Sequence, residues 1–219
     1  ENLKDSPPEL KFPYDYPRKN IPTGFGGKEY IKVPVKYTKR LKKFSKENGS
    51  SLFVTLLSAL GVLLQKYSGE NDICIGVPFS CRTHPGIKNI FGMLINTIVI
   101  RLKIKENNNF RQHVNYAKNV FMHAISHHKL QFDKIVEVIN PERISNMNPL
   151  FQVSVVWLNE IAIPMDLAGI KGERITIKEG ISPFDITFYL WENGENIAGE
   201  IEYNIDILKR ETIIRLKDN

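Results

Sequence analysis

The run LFVTLLSALGVLL, residues 52–64, is the feature that most constrains the fold. It falls short of the roughly 20 apolar residues that span a bilayer, and Thr55 and Ser58 interrupt it. Because the segment is apolar nearly all round, it predicts a helix at the centre of a globular domain. Ser50 or Ser51 can cap the first turn of this helix through its hydroxyl.

The rest of the chain mixes strand and helix patterns without a regular βαβ repeat. Asn193-Gly194 predicts a two-residue hairpin turn, because both central positions need positive φ. The order of elements favours the α+β class, with a mixed, largely antiparallel sheet packed with helices. The predicted strands are EYIKVPVKY, DICIGVPF, TIVIRLKI, FQVSVVWL, ERITIKE, FDITFYLW and IAGEIEYNI, and the predicted helices cover about 37–48, 52–67, 110–125, 132–139 and 208–216.

The first 27 residues have few apolar repeats and carry prolines at positions 7, 8, 13, 17 and 22. This composition predicts an extended lead-in rather than a packed element, followed by a globular part over 28–219. The chain opens on Glu1 and shows no signal peptide, so we expect it to be cut from something longer. Cys74 and Cys81 are too few for a disulfide framework, which favours a cytoplasmic location.

The net charge of +6 is densest in KYTKRLKKFSK, residues 36–46. The lysines and arginines there fit the outer face of an amphipathic helix. That face is interpreted first as solvated surface and second as a docking surface for an acidic partner. Nucleic-acid binders usually concentrate such an excess on one face and interleave it with aromatics, whereas this stretch is interpreted as a helix surface. Neither a nucleic acid nor a membrane is expected as a partner.

The segment AISHHKLQFDKIV, residues 124–136, looks like the start of a catalytic site. If the helix from Phe110 continues through it, His128 lies 18 residues further on, at the same helical angle and inside the apolar stripe. His127 would lie on the flank of that stripe. A histidine there is more often a buried, hydrogen-bonded core group than a base, so the residues alone leave both interpretations open.

No other pattern points to a catalytic or metal site. His123 and His127 share a helical face, but no glutamate completes an HExxH motif, and Cys74, Cys81 and His84 are loosely spaced. No G-x-S-x-G elbow occurs, although composition does not exclude a Ser-His-Asp or Cys-His arrangement. The glycines of TGFGGKE follow a proline-rich segment and open no helix, so no phosphate-binding loop is expected.

Five stretches of the chain, taken in their order, carry a resemblance to a known family. They are SLFVTLLSALGVLLQKYSGENDICIGVPFSCR, NIFGMLINTIVIRL, HHKLQFDKIV, NPLFQV and SPFDITFYLWENGENIAGEIEYNIDIL. Together, over nearly the whole chain, they resemble the C-terminal half of the condensation domains of nonribosomal peptide synthetases. The second is similar to the family signature G-x-F-V-N-T-x-x-x-R, and the third to its segment H-Q-D-x-P-F-E. The resemblance implies structural roles for Gly92, Thr97, Arg101, His127, Phe132, Asn148, Pro149, Phe184, Asp185 and Tyr203.

The resemblance also answers the question of the paired histidines. The family's catalytic motif, HHxxxDG, belongs to the N-terminal half, before residue 1. Here four residues separate the pair from Asp133, and Lys134 stands where the glycine should be. His127 matches the histidine of the later motif and His128 replaces its glutamine, so no catalytic residue is expected in this chain. Further departures from the family pattern are Lys129, Gln131, Ile144 and Asn146.

The resemblance implies a two-layer sandwich like that of chloramphenicol acetyltransferase, with two halves in a V and the active site in the cleft. Such domains join an acyl or peptidyl thioester to the amino group of an aminoacyl thioester. Both substrates travel on the phosphopantetheine of carrier proteins, so no cofactor is expected to bind this chain directly. The implied partners are the N-terminal half, to which residues 1–27 would lead, and the peptidyl carrier and adenylation domains.

This half would supply one wall of the substrate tunnel, and we expect Ser80, Arg82 and Asn96 near it. Asn96 and Arg82 carry donors suited to a carbonyl or pantetheine amide, although they could equally only tie loops to the backbone. Alone, the chain is expected to be inactive. The alternatives are a non-catalytic module that docks carrier proteins and half of a stand-alone acyltransferase.

The Phe184–Asn204 hairpin is expected, from the resemblance, to cross to the N-terminal half. Without that half, its edge strand would expose unpaired N–H and C=O groups. We therefore expect the isolated chain to self-associate or to leave the hairpin disordered.

Overall fold

The computed structural model describes residues 2–82, 85–87, 89–158, 166–167, 170–171 and 180–219. The predicted strand ERITIKE and His84 lie outside these residues. The elements are β1 (Gly26–Val33), α1 (Val35–Glu47), α2 (Leu52–Ser68), β2 (Asp72–Ser80), a 3₁₀ turn (Pro85–Ile87), β3 (Ile95–Lys103), α3 (Phe110–Ser126), α4 (Phe132–Ile139), β4 (Val153–Leu158), β5 (Asp166–Leu167), β6 (Ile170–Lys171), β7 (Ile186–Asn193), β8 (Asn196–Asn204) and α5 (Arg210–Asp218).

Six strands form one sheet in the order β1-β8-β7-β4-β2-β3, and β5 pairs with β6 separately. The pairs β1–β8, β7–β8 and β2–β3 are antiparallel, whereas β4 runs parallel to both of its neighbours, β2 and β7. The expected α+β class with a mixed, largely antiparallel sheet is therefore confirmed.

The two faces of the sheet pack against different helices. On the core face, alternate strand residues pack with α2, α3 and α5 around the fully buried Leu57 and Leu64. Burial of each of these leucines contributes about 2 kcal/mol. On the opposite face, called the α4 face below, a smaller apolar cluster packs with α4 around the buried residues Cys74, Val99, Leu150 and Phe151.

Local signals set the ends of the main helices. The Ser51 hydroxyl accepts a hydrogen bond from the Val54 N–H at 3.1 Å, and Gly69 ends α2 in the left-handed conformation, with φ of +72°. Asn109 and Gln112 form a capping box at the start of α3. The central helix and its serine cap, both predicted from the sequence, are thereby confirmed.

The β7–β8 hairpin differs from expectation in two ways. Its two loop residues are Gly194 and Glu195 rather than Asn193 and Gly194, since Asn193 pairs with Asn196. Of these two loop residues only Gly194 has positive φ, as in a turn with glycine at the first central position.

The expectation that this hairpin leaves an exposed edge strand is also wrong. β8 pairs with β1 and β7 pairs with β4, so both hairpin strands lie inside the sheet. The edge strands of the six-stranded sheet are β1 and β3. Self-association of the chain stays a prediction, without this hairpin as its cause.

The N-terminal segment also departs from its prediction. Residues 2–25, called the strap below, contain no regular helix or strand, yet the strap packs against the sheet. Leu10 and Phe12 are buried in the main core, and Phe12 stacks on Tyr67 with ring centroids 5.5 Å apart. The expectation that this segment does not pack is therefore wrong.

Among the described residues no single helix has the length and apolar character needed to cross a membrane. Only α1 and α2 taken together meet the criterion, and the chain bends by 106° between them.

Candidate functional site

The end of the β2–β3 pair brings together the three residues expected at the tunnel wall. Ser80 pairs with Ile95 and Phe79 pairs with Asn96, so Ser80 and Asn96 lie one residue apart in register. Arg82 follows two residues after Ser80, and its backbone N–H approaches the Ser80 hydroxyl at 3.4 Å. The three residues therefore lie at one end of the sheet, with the side chains of Ser80 and Asn96 on opposite faces of it.

The carboxamide of Asn96 clamps the connection between α3 and α4. Its Nδ2 donates to the carbonyl oxygens of His128 and Leu130, both at 2.8 Å. Its Oδ1 accepts from the backbone N–H groups of Thr97 at 2.9 Å and Phe132 at 3.1 Å. Because α3 lies on the core face and α4 on the other, this connection passes around the β3 edge, and Asn96 holds it there.

Arg82 organises the loop that follows β2. Its Nη1 donates to the carbonyl oxygens of Ile87 at 3.1 Å and Ile90 at 2.7 Å, and its Nη2 donates to that of Gly92 at 2.7 Å. Gly92 has φ of +148°, which side chains rarely allow, so glycine is required at this motif position. The guanidinium therefore ties the described residues Ile87, Ile90 and Gly92 to the end of β2.

No hydrogen bond joins the paired histidines to Asp133 among the described residues. α3 ends at Ser126, so His127 is an exposed cap residue, and its Nδ1 lies 2.9 Å from the carbonyl oxygen of His123. The His128 ring lies 5.1 Å from the Phe79 ring, and its Nδ1 is 2.8 Å from the Ile125 carbonyl oxygen. The helix α3 therefore ends before the pair. His128 would have taken a position in the apolar stripe only if the helix had continued through it.

The buried histidine of α3 is one that the sequence did not single out. His113 is 3% exposed, and its ring lies near the Ser58 backbone without forming a hydrogen bond of ordinary geometry. It lies against Gly61 of α2, and burial lowers its pKa. It is buried on α3 together with Val114 and Ala117, and its place beside these apolar residues was the available signal. Among the described residues, no group of His, Cys, Asp or Glu could hold a metal ion.

An aromatic cluster supports the site from the α4 face. Phe151 lies under β2, with Phe132 at 5.6 Å and Phe184 at 5.2 Å between ring centroids. A Cβ on Gly76 would lie 2.2 Å from the Phe151 ring, so glycine is needed in the middle of β2. The cluster joins motif residues from three separate segments of the chain.

The NPLFQV motif forms the turn that places Phe151 in this cluster. Asn148 donates through Nδ2 to the Pro183 carbonyl oxygen at 2.8 Å, and the Pro149 carbonyl oxygen accepts from the Phe151 N–H at 2.9 Å. Leu150 between them has φ of +69°, a conformation that costs a non-glycine residue about 1 kcal/mol. Its burial against the cluster offsets this strain.

Arg101 anchors the start of the strap to β3. Its guanidinium is bidentate to Asp72, with Nε at 2.8 Å and Nη2 at 2.6 Å from the carboxylate oxygens. The remaining N–H groups donate to the backbone carbonyls of Asn2, Lys4 and Asp5. The hydrogen bond with Asp72 raises the pKa of Arg101, and the side chain acts as a structural clamp.

Asp185 anchors the middle of the strap. It is buried and bidentate to Arg18, while the Tyr14 hydroxyl donates to its Oδ2 at 2.6 Å. Burial, followed by the negative charge of Asp185, raises the pKa of Tyr14 above its ordinary value. Between these two anchors, Gln152 accepts from the Leu10 N–H at 2.8 Å.

Two other residues discussed from the sequence are buried. Tyr203 lies over the backbone of Gly27 on β1, and burial raises its pKa. Cys74 is a free thiol in the α4-face cluster, and burial raises its pKa to about 12, so it is a poor nucleophile. Neither residue is a candidate for chemistry.

A family model for the condensation domain matches residues 1–219, so the chain belongs to the condensation-domain family. The sequence is 36% identical to one of the linear gramicidin synthase subunits of Brevibacillus parabrevis, over 95% of this chain and 3% of that protein. It is 33% identical to bacitracin synthase 3 of Bacillus licheniformis, over 98% of this chain and 3% of the synthase. The chain thus spans a small part of the curated relatives it matches.

The fold is shared with solved structures of the same kind. The holo form of AB3403, a four-domain nonribosomal peptide synthetase bound to AMP and glycine, superposes with a TM-score of 0.89 at 25% identity, over 98% of this chain and 17% of that chain. The X-domain of teicoplanin biosynthesis in complex with OxyB gives 0.90 at 21% identity, over 99% of this chain and 48% of that chain. The fold expected from the resemblance is confirmed.

Proposed function

We propose that this chain is the C-terminal half of a condensation domain that forms amide bonds between two carrier-bound thioesters. The observation that carries the proposal is the family match over residues 1–219, taken together with the share of the solved X-domain that the chain covers, 48% in one structure and 50% in another. The substrates would be an acyl or peptidyl thioester and an aminoacyl thioester, each on the phosphopantetheine of a partner carrier protein. The chain itself would bind no cofactor.

The β2–β3 end would form one wall of the substrate tunnel. The hydrogen bonds of Asn96 and Arg82 support a role in shaping this wall, because they hold the α3–α4 connection and the loop after β2. Ser80 is exposed and carries a hydroxyl that could donate to a pantetheine amide. The attacking amine would be served by the histidine motif of the N-terminal half, so the chain alone is expected to be inactive.

Other parts of a synthetase would complete the activity. The expected partners are the N-terminal half and the peptidyl carrier and adenylation domains, as in the four-domain arrangement of the AB3403 structure. We place the protein in the cytoplasm, a proposal supported by the two free thiols, Cys74 and Cys81.

The test uses the polypeptide encoded directly upstream of residue 1. The sequence of that segment is read first for an intact HHxxxDG motif, and the joined polypeptide is then assayed with two loaded carrier proteins, with amide product measured by mass spectrometry. We expect product from the joined polypeptide and none from either part alone. An upstream segment without the motif, or an inactive joined polypeptide that is folded, would contradict the proposal.

The tunnel role of Asn96 is tested in the same joined polypeptide. We expect Asn96→Ala to lower turnover per folded molecule, because the wall loses its fixed shape. Turnover is normalised to the folded fraction from circular dichroism, so a stability loss alone is not counted. Unchanged normalised turnover would contradict the role.

A second candidate function is docking of a carrier protein without catalysis. It is favoured by the outer face of α1, where Lys36, Arg40 and Lys46 are exposed and make no ion pair with any described residue. An acidic partner would be attracted to such a face, and more weakly at high salt. Reversing the charge of Lys36 and Arg40 to glutamate should weaken carrier binding, whereas Lys105→Glu, in the loop after β3, should not.

A further inference from the structure

The tripeptide Glu-Asn-Gly occurs twice in the chain, at 47–49 and at 192–194. An asparagine followed by glycine is prone to lose its side-chain amide, because glycine has no Cβ to shield the backbone nitrogen that attacks the carboxamide. Both glycines adopt the left-handed conformation, with φ of +56° at Gly49 and +58° at Gly194. The two copies therefore match in sequence and in glycine conformation, and their surroundings decide how each one reacts.

The first copy is held closed at the end of α1. The Asn48 carboxamide donates through Nδ2 to the Phe44 carbonyl oxygen at 2.7 Å. The Gly49 backbone N–H, which belongs to the attacking nitrogen, donates to the Lys46 carbonyl oxygen at 3.1 Å. Both reacting groups are thus engaged at the last turn of α1, and two hydrogen bonds must break before the groups meet.

The second copy lies open at the tip of the β7–β8 hairpin. Asn193 and Gly194 are both exposed, and neither the Asn193 carboxamide nor the Gly194 N–H makes a hydrogen bond among the described residues. Asn193 pairs with Asn196, the last pair of the β7–β8 ladder, so fraying of this one pair gives the asparagine the freedom to react.

We infer that Asn193 is a site of spontaneous deamidation and that Asn48 is protected from it. In the reaction the Gly194 nitrogen loses its proton and bonds to Cγ of Asn193, the Cγ–Nδ2 bond breaks, and ammonia leaves. Water then opens the cyclic imide at one of its two carbonyls, so that position 193 becomes aspartate or isoaspartate without any change of oxidation state. The reaction needs water alone, and the inference does not depend on the proposed function.

The product changes the charge of a tip that contacts α1. Glu192 pairs with Lys42, and Glu195 pairs with Lys39 at 2.8 Å. A carboxylate at position 193 lies between these two glutamates in the sequence, so the modified chain carries one more negative charge at the hairpin tip. It is therefore more acidic than the unmodified chain, and ion exchange separates the two forms.

The experiment incubates the whole folded chain at mildly alkaline pH and follows the conversion of both asparagines by peptide mass spectrometry. A parallel sample unfolded in urea gives the ratio of the two rates that the sequence alone sets. Relative to that ratio, we expect Asn193 to convert about tenfold or more faster than Asn48 in the folded chain, because each of the two hydrogen bonds at the first copy contributes roughly a factor of five.

Two variants assign the acidic form to its residue. Asn193→Gln should remove this form from the ion-exchange profile, because attack on the longer side chain closes a less favourable ring. Asn196→Gln, in the same hairpin but followed by Ile197, should leave it, and thermal unfolding checks that both variants keep the fold.

Equal conversion of both asparagines in the folded chain, at the ratio found in urea, would overturn the inference. Faster conversion of Asn48 would do the same, as would an Asn193 that converts in urea and is unchanged in the folded chain.

Discussion

Replacing Asn96 with alanine removes four hydrogen bonds at the point where the chain crosses the sheet edge. The carbonyl oxygens of His128 and Leu130 lose their donor, and the N–H groups of Thr97 and Phe132 lose their acceptor. Each such bond contributes about 1 kcal/mol net, and because water reaches part of this site we expect a total loss of about 2 kcal/mol. For a chain of this size the unfolding midpoint should then fall by about 5 °C.

Two measurements separate this clamp from general destabilisation. Urea denaturation gives the free energy of unfolding, and hydrogen exchange reports local opening of the α3–α4 connection at residues 127–131. We expect exchange in that connection to rise more than exchange in α2, because only the connection is released. Asn107→Ala is the matched control, since Asn107 is exposed in a turn and its side chain makes no hydrogen bond among the described residues.

A free energy of unfolding within about 0.5 kcal/mol of the wild type, the range usual for surface substitutions, would refute the clamp. So would an exchange pattern in which the connection behaves like the rest of the chain. Either result would mean that water replaces the carboxamide without cost, and that the crossing is held by α4 packing alone.

Three further substitutions test the packing and the strap. Gly76→Ala should destabilise the fold by about 2 kcal/mol, because its Cβ would overlap the Phe151 ring. Asp185→Asn should cost about 3 kcal/mol by leaving the partly buried Arg18 without its charge partner, and should expose the strap to limited proteolysis. His113→Gln should weaken the pH dependence of stability. Because burial lowers the pKa of His113, the folded state favours the neutral ring. The neutral ring therefore contributes stability above the unfolded-state pKa of about 6.5, and this contribution is lost as the pH falls below that value.

Each of these has its own control. Gly180→Ala has room for a Cβ at 3.6 Å from the nearest atom and should be neutral, and Phe151→Leu should partly rescue Gly76→Ala. Asp133→Asn, on the exposed first turn of α4, should leave the strap protected. His123→Gln, at an exposed position, should keep the wild-type pH dependence between pH 7 and 5. A wild-type stability curve that is flat over this range would contradict the account of His113.

The helices and most strands could be predicted because their signals are local. The apolar run of α2 lies between its Ser51 cap and Gly69, and the alternation in β3 separates Ile98 and Ile100 from Arg101. A period of 3.6 or 2 and a capping residue are read within one segment. The observed turn of the β7–β8 hairpin lies one residue later than the predicted turn. Gly194 takes the first central position of the loop, and the pair Asn193-Gly194 in the sequence does not show which of the two positions the glycine will take.

The site could be predicted only in part. The order of motifs predicted Ser80, Arg82 and Asn96 near one wall of the substrate tunnel. The structure places Ser80 and Asn96 one residue apart in register, and the tunnel role stays a prediction. Their hydrogen bonds could not be read from the sequence, since Asn96 binds residues 32 to 36 positions away. The helix before His127 ended at Ser126, close to its predicted end, so the condition that would have placed His128 in the apolar stripe was not met. The histidine that is buried, His113, lay among residues whose pattern alone did not distinguish it.

The sequence by itself determined which segments form helices and strands, the α+β class and the family, because these depend on short-range periodicity and on motifs in a fixed order. Only the tertiary structure decided that β4 lies between β2 and β7, that β1 closes the hairpin, and that the strap packs as part of the fold. The physical reason is that strand pairing and the satisfaction of buried charges such as Asp185 join residues far apart in the chain. Arg18 and Asp185 are 167 positions apart, and no local pattern specifies such a partner.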